Sequence, residues 1–355
     1  MLNVNPEAKK MILALDGGGM RGIIAAAVLA ELERATGQLC RDIFDLVAGT
    51  STGAILTAAI ALGVPMEQTV AEIYRQKIAQ SFPRASPRLL FDYVAHSTRY
   101  LYPIEPFVNA LAAYANGVKI GDIQRPIIMI TTKDVRTGGM HHICNRGPHA
   151  EFFAEYPLAG AVAASSAAPM FFPPIAGTLI DGGVGADISP ALSAAVMAME
   201  HLGAGEGFVD GRTILISIGT GFAPNPHLDH ELAAGNYGLR RWLRYLILNS
   251  LDDTAFQVAD LTRTIYGRRL DFRRYNLLLT RENAEMLGVD CGRCDPAALT
   301  LDSHKPEQVK LMEDLARAYA RGIDWQQTGV MPWDTRGGHL RPPMLPVDWS
   351  KTPFK

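Results

Sequence analysis

The sequence predicts an α/β protein, a three-layer α/β/α sandwich around a mostly parallel central sheet. Three observations carry this. Short apolar runs alternate with longer helix-like segments along the chain, the pattern of strand–helix–strand units whose sheet is covered on both faces. Of the 355 residues, 48% are hydrophobic and 20% charged, enough apolar mass for a large core and far from a disordered composition. Two of the apolar runs end in glycine-rich turns that open helix-like stretches.

In order, Met11–Leu15 is a buried strand running into Gly17-Gly18-Gly19, and Arg21–Thr36 is a helix with Ile23, Ala27 and Leu32 on its apolar side. Asp45–Ala48 is a second strand, followed by a small-residue helix over Ser51–Leu62. Met66–Ala79 and Glu105–Ala115 are helical, with an irregular, proline-bearing stretch between them that is placed as cover for a pocket. Pro126–Thr132 is a strand, and Met140–Asn145 pairs with it across the Thr137-Gly138-Gly139 turn. Pro157–Ser165 is helical, Thr178–Asp181 strand-like, Pro190–His201 helical and Thr213–Ile218 a buried strand. Tyr237–Tyr266 is mostly helical, Phe272–Leu279 strand-like and Pro306–Arg321 the final helix.

At about 150 residues per domain the length fits two domains, but no linker, repeat or change of composition divides the chain. The expectation is a single catalytic domain over 1–330, with covering insertions near 80–105 and 225–270, and a proline-rich tail over 331–355.

The formal net charge of −2, from 34 basic and 36 acidic side chains, argues against a nucleic-acid polymer as partner and against membrane steering by the whole field. The N-terminal apolar run is broken by Asp16 and glycines, unlike a signal-peptide core. The longest mostly apolar run, Ala54–Val64, is short of the about 20 residues a membrane-spanning helix needs. The expected location is the cytoplasm, with peripheral contact at the inner membrane. Of the four cysteines, Cys291 and Cys294 form a CxxC without the second pair that a structural zinc site takes, so no metal is expected, and no cofactor.

Three segments carry chemistry. Asp16-Gly17-Gly18-Gly19-Met20-Arg21-Gly22 lies between a strand and a helix, where backbone N–H groups favour negative charge. Gly17–Gly22 also matches G-x-G-x-x-G, so a dinucleotide-binding oxidoreductase is an alternative. That motif wants a carboxylate at the end of the next strand, and Asp42 and Asp45 precede or open that strand instead. A P-loop fails because Ile23 stands where lysine is required. Gly49-Thr50-Ser51-Thr52-Gly53 is G-x-S-x-G in strand–turn–helix context, the setting of an exposed nucleophilic serine. Asp181-Gly182-Gly183 follows a short strand and reads either as a carboxylate facing a neighbouring turn or as a plain turn. None of the nine histidines sits in a triad context, and an α/β-hydrolase builds more strands than two before its elbow.

Together these segments resemble the patatin-like phospholipase family, whose motifs are a DGGGxRG loop, a GxSxG elbow and a DGG or DGA aspartate, in that order. Ala164-Ser165-Ser166-Ala167-Ala168-Pro169 and Ile216-Ser217-Ile218-Gly219-Thr220-Gly221 add to the likeness, which covers roughly residues 10–280. Where the family often carries asparagines before a proline, this chain has Val184-Gly185-Ala186-Asp187-Ile188-Ser189-Pro190. The resemblance implies a patatin-like fold and a lipid acyl hydrolase of the phospholipase A or lysophospholipase type. It implies Ser51 as nucleophile, Asp181 as its partner and the amides of Gly17, Gly18 and Gly19 as oxyanion hole. Arg21, Gly49, Gly53, Gly182 and Gly183 would be supporting residues, and Asp16 structural. Implied partners are phospholipid at a membrane surface, a cyclic-nucleotide activator in antiviral defence, and a second copy of the chain in a homo-oligomer. A non-catalytic lipid-binding module is the other alternative.

Two basic clusters complete the reading. Leu239–Leu251, with Arg240, Arg241, Arg244 and Trp242, is either a membrane-surface helix or an amphipathic core helix. Arg268, Arg269, Arg273 and Arg274 are placed on a solvated face, with an anionic headgroup or phosphate-bearing ligand as the other reading.

Overall fold

The computed structural model describes residues 10–78, 100, 102–103, 105–115, 117–185, 187–223, 238, 250–323 and 325. The two covering insertions and the tail expected from the sequence, and most of the Leu239–Leu251 segment, lie largely or wholly outside the described residues.

The strands are β1 (Lys10–Leu15), β2 (Leu46–Thr50), β3 (Ile127–Asp134), β4 (Met140–Cys144), β5 (Leu179–Asp181), β6 (Thr213–Ile218) and β7 (Asp271–Tyr275). The principal helices are α1 (Gly22–Thr36), α2 (Thr52–Ala61), α3 (Glu105–Ala115), α4 (Leu158–Ser165), α5 (Ala191–Val196), α6 (Ser250–Tyr266) and α7 (Pro306–Arg321). The helix expected over Met66–Ala79 is a short α-turn, Met66–Gln68, continued by a π-helix over Thr69–Ile78.

The strands form one sheet in the order β4-β3-β2-β1-β6-β7, with β5 on β3. Pairings β1–β2, β1–β6, β2–β3 and β6–β7 are parallel, while β4 and β5 run antiparallel to β3. β1 explains why its sequence is continuously apolar. Met11, Leu13 and Leu15 enter one core with residues of α1, α2, α4 and α7, and Ile12 and Ala14 enter a second with residues of α5 and α6. Both faces of the sheet are therefore covered, and a strand buried on both sides keeps no polar alternation. The mostly parallel three-layer arrangement expected from the sequence is the observed one.

The register sets up the site. Leu15, at the end of β1, lies beside Gly49 of β2 and Ile218 of β6. The turns that leave these three parallel strands therefore emerge side by side at their carboxyl ends, where open α/β sheets bind ligands.

Candidate active site

Ser51 sits in the turn between β2 and α2 with φ 54° and ψ −119°. This left-handed conformation is one that a side-chain-bearing residue adopts only when its surroundings impose it, at about 1–3 kcal/mol. The surroundings are specific. The Ser51 amide donates to Ser165 Oγ at 2.8 Å, and Ser166 Oγ donates to the Ser51 carbonyl at 3.3 Å. Both glycines of the elbow are required by close approach. A Cβ on Gly49 would stand 2.2 Å from the Gly53 carbonyl oxygen, and one on Gly53 2.2 Å from the Leu15 carbonyl oxygen.

Asp181 reaches the same place from across β3. It ends β5 opposite Thr132 of β3, next to the Thr131 that pairs with Thr50. Its carboxylate accepts from the Gly183 amide at 2.8 Å on Oδ1 and lines the same cavity as Ser51. The residue is 5% exposed. Burial pushes its carboxyl up to about 6, against the opposing pull of the Ser51 side chain and the Gly183 amide. Gly182 lets the chain turn tightly against Thr131, where a side chain would collide with Thr131 Oγ1.

The glycine loop after β1 forms the facing wall. The Gly17 amide donates to the Ile188 carbonyl at 2.8 Å. Among the described residues, the Gly18 and Gly19 amides have no protein acceptor. They head a 3₁₀ turn, Gly19–Arg21, that leads into α1, and the first N–H groups of such a turn are unpaired by construction. Of the three amides the resemblance implies as oxyanion donors, that of Gly17 is already engaged.

Asp16 is buried under this loop in a two-pronged ion pair with Arg274, whose Nη1 donates to Asp16 Oδ1 at 2.9 Å and to Ser217 Oγ at 2.7 Å. This corrects the solvated-face reading of the second arginine cluster for Arg273 and Arg274. Arg273 and Arg274 are 1% and 6% exposed. Arg273 is held by Asp271 and the Trp325 carbonyl, and Arg269 pairs with Glu200 and Asp210. The Arg273 and Arg274 guanidinium groups are spent inside the protein, whereas Arg268 is exposed and Arg269 partly exposed.

Arg21, placed as a holder of the loop, reaches across to α6. Its Nη2 donates to Asp252 Oδ1 at 2.7 Å, while its buried Nε has no partner among the described residues. Ser51, Asp181, Gly18 and Gly19 open onto a cavity of about 100 Å³, walled mainly by apolar side chains that include Ile55, Phe171, Val184, Ile188, Leu251 and Leu301.

Several residues that build the site were visible only as motif letters. Ser165 and Ser166 clamp the Ser51 backbone. Thr220, from the Ile216–Gly221 stretch, donates to the Gly17 carbonyl at 3.1 Å. Leu301 had no sequence signal, yet its carbonyl accepts the Met20 amide at 2.7 Å.

The family model described as Patatin-like phospholipase matches residues 13–195, half of the chain and all three motifs. The chain belongs to the patatin-like phospholipase family. Among its relatives is the 85/88 kDa calcium-independent phospholipase A2 of Mus musculus, 29% identical over 238 residues that make up 60% of this chain and 27% of the relative. A cGAMP-activated phospholipase of Pseudomonas aeruginosa is 29% identical over 180 residues, 49% of this chain and 52% of that protein. Patatin-like protein 1 of Arabidopsis thaliana is 27% identical over 292 residues, 71% of this chain and 66% of that protein. The chain thus matches between about a quarter and two thirds of the length of these relatives.

Proposed function

We propose that this patatin-like protein is a lipid acyl hydrolase that cleaves carboxylic esters of phospholipids through an acyl-enzyme on Ser51. The observation that carries the reading is a strained, elbow-borne serine that lines one cavity with a buried carboxylate. Asp181 takes the hydroxyl proton as Ser51 Oγ attacks the ester carbonyl. The carbonyl oxygen, now an anion, is received by the Gly18 and Gly19 amides. Asp181 returns the proton to the departing alcohol, and water then attacks the acyl-serine with Asp181 again as base. A carboxyl brought up to about 6 is a better base toward a hydroxyl than one at 3.8 and is still ionised at neutral pH. The apolar cavity walls suit an acyl chain.

The oxidoreductase alternative has less support. The end of β2 runs directly into Ser51, and Asp45, at the other end of the strand, is engaged by Lys10 and the Met11 amide. A fluorophosphonate probe decides the matter. The expected result is one adduct, located on Ser51 by mass spectrometry and absent from Ser51→Ala and Asp181→Ala proteins that remain folded. An unlabelled protein that binds NAD would select the oxidoreductase, and one that binds vesicles without turnover a lipid-binding module.

Activation by a cyclic nucleotide belongs to the same proposal. Its support is the names of the relatives from Pseudomonas aeruginosa and Vibrio cholerae, both cGAMP-activated phospholipases. The proposed place of work is a lipid surface on the cytoplasmic side; no described helix is long and apolar enough to cross a membrane. Hydrolysis of phosphatidylcholine vesicles should rise on adding cGAMP, and equal rates with and without it would remove the activation claim while leaving the hydrolase.

A further inference from the structure

One dipeptide touches every part of the site. The Asp187 carbonyl accepts from Thr50 Oγ1 at 2.5 Å, beside the nucleophile. The Ile188 carbonyl accepts from the Gly17 amide at 2.8 Å, in the glycine loop. The Ile188 side chain lies so close to Gly17 and Gly183 that a Cβ on either would stand 2.8 or 2.6 Å from its Cδ1. Asp187-Ile188 therefore joins the elbow, the oxyanion loop and the turn that carries Asp181.

What fixes this dipeptide is the Asp187 side chain, 6% exposed. Its Oδ2 lies 2.6 Å from His142 Nε2 on β4, and its Oδ1 accepts from Ser193 Oγ on α5 at 2.7 Å. A carboxylate only accepts, so the proton of this contact is on His142 Nε2. An amide carries one accepting and one donating arm, whereas Asp187 offers both arms to donors on opposite sides of the dipeptide.

We propose that His142 and Asp187 are a positioning pair for acyl transfer. By anchoring the 187–188 carbonyls from the edge of the sheet, they set the distance between the Ser51 elbow and the Gly18–Gly19 amides. The inference rests on the acyl-hydrolase reading above. The pair touches neither substrate nor reacting atoms; it acts through Thr50 and Gly17. Displacements of about 1 Å in such a constellation can cost up to about a hundredfold in rate, and loss of a group that orients others typically costs about 10- to 100-fold at metal sites organised in the same way.

The test uses the full chain and two variants, His142→Ala and His142→Gln, the glutamine amide standing in for the Nε2–H donor. Three quantities are read: the rate of fluorophosphonate labelling at Ser51, kcat and KM on phosphatidylcholine in mixed micelles, and the thermal midpoint. His142→Ala should slow labelling and kcat by about tenfold or more, with KM within about twofold. His142→Gln should return both rates to within about threefold of wild type. If the alanine protein fails to fold, Ser193→Ala, which removes the other donor, should show a smaller loss of the same kind. Wild-type rates in His142→Ala would overturn the proposal. So would a loss that tracks the unfolded fraction, or a glutamine variant as slow as alanine. Failure of wild type to label at Ser51 would instead overturn the hydrolase reading and take this pair with it.

Discussion

At Asp181, burial and charge pull against each other. Its folded carboxyl, raised from 3.8 to about 6, binds a proton more tightly than the unfolded chain does. Ionisation therefore costs stability above pH 6, and the cost fades as pH falls from 6 towards 3.8. The difference corresponds to roughly 3 kcal/mol at neutral pH. Asp181→Asn, neutral at all pH values, should abolish hydrolysis and raise the melting temperature at pH 7, with the gain shrinking below pH 6. A calorimetric series across pH 4–8 checks this. The proposed base must be ionised to act, so wild-type kcat/KM should climb with pH through about 6. A limb centred near 4 would mean that the acting carboxyl is not raised by burial.

Among the elements, the elbow shows which parts of the site can be read from a string of letters. The two glycines and the serine announce it because backbone must pass within collision distance of backbone there, and only glycine permits that. β1 announces itself because both its faces are buried. The holders of the strained serine are harder to see, since Ser165 is 114 residues away and looks like any small helix residue. Ser165→Ala leaves the Ser51 amide without its side-chain partner, a loss of about 1–3 kcal/mol. It should let the elbow relax and slow fluorophosphonate labelling with little change in KM. The engagement of Gly17 was equally hidden, because its acceptor is the Ile188 carbonyl, a main-chain group that no motif encodes. The antiparallel seat of β5 on β3 also has no local signal: three residues are too few to show a period.

Across the whole molecule, charge was the least legible property. Arg273 and Arg274 sit beside other arginines in the sequence and read as surface, yet the carboxylate that neutralises Arg274 is 258 residues away. Removing one partner of a buried pair strands the other, at about 3–5 kcal/mol. Arg274→Met should therefore lower stability by that order in denaturant unfolding, and Arg274→Met with Asp16→Asn should recover part of it. The same long reach appears at the glycine loop. Its Met20 amide is held by the carbonyl of Leu301, a hundred residues beyond the end of the family match. During synthesis, Ser51 and Asp181 leave the ribosome long before this last brace does. A chain truncated after residue 200 should accordingly leave Ser51 unlabelled by fluorophosphonate. The growing polypeptide carries its Ser51 elbow early and its glycine loop unfastened until late, so the proposed acyl-transfer site is completed only when the last part of the chain has been made.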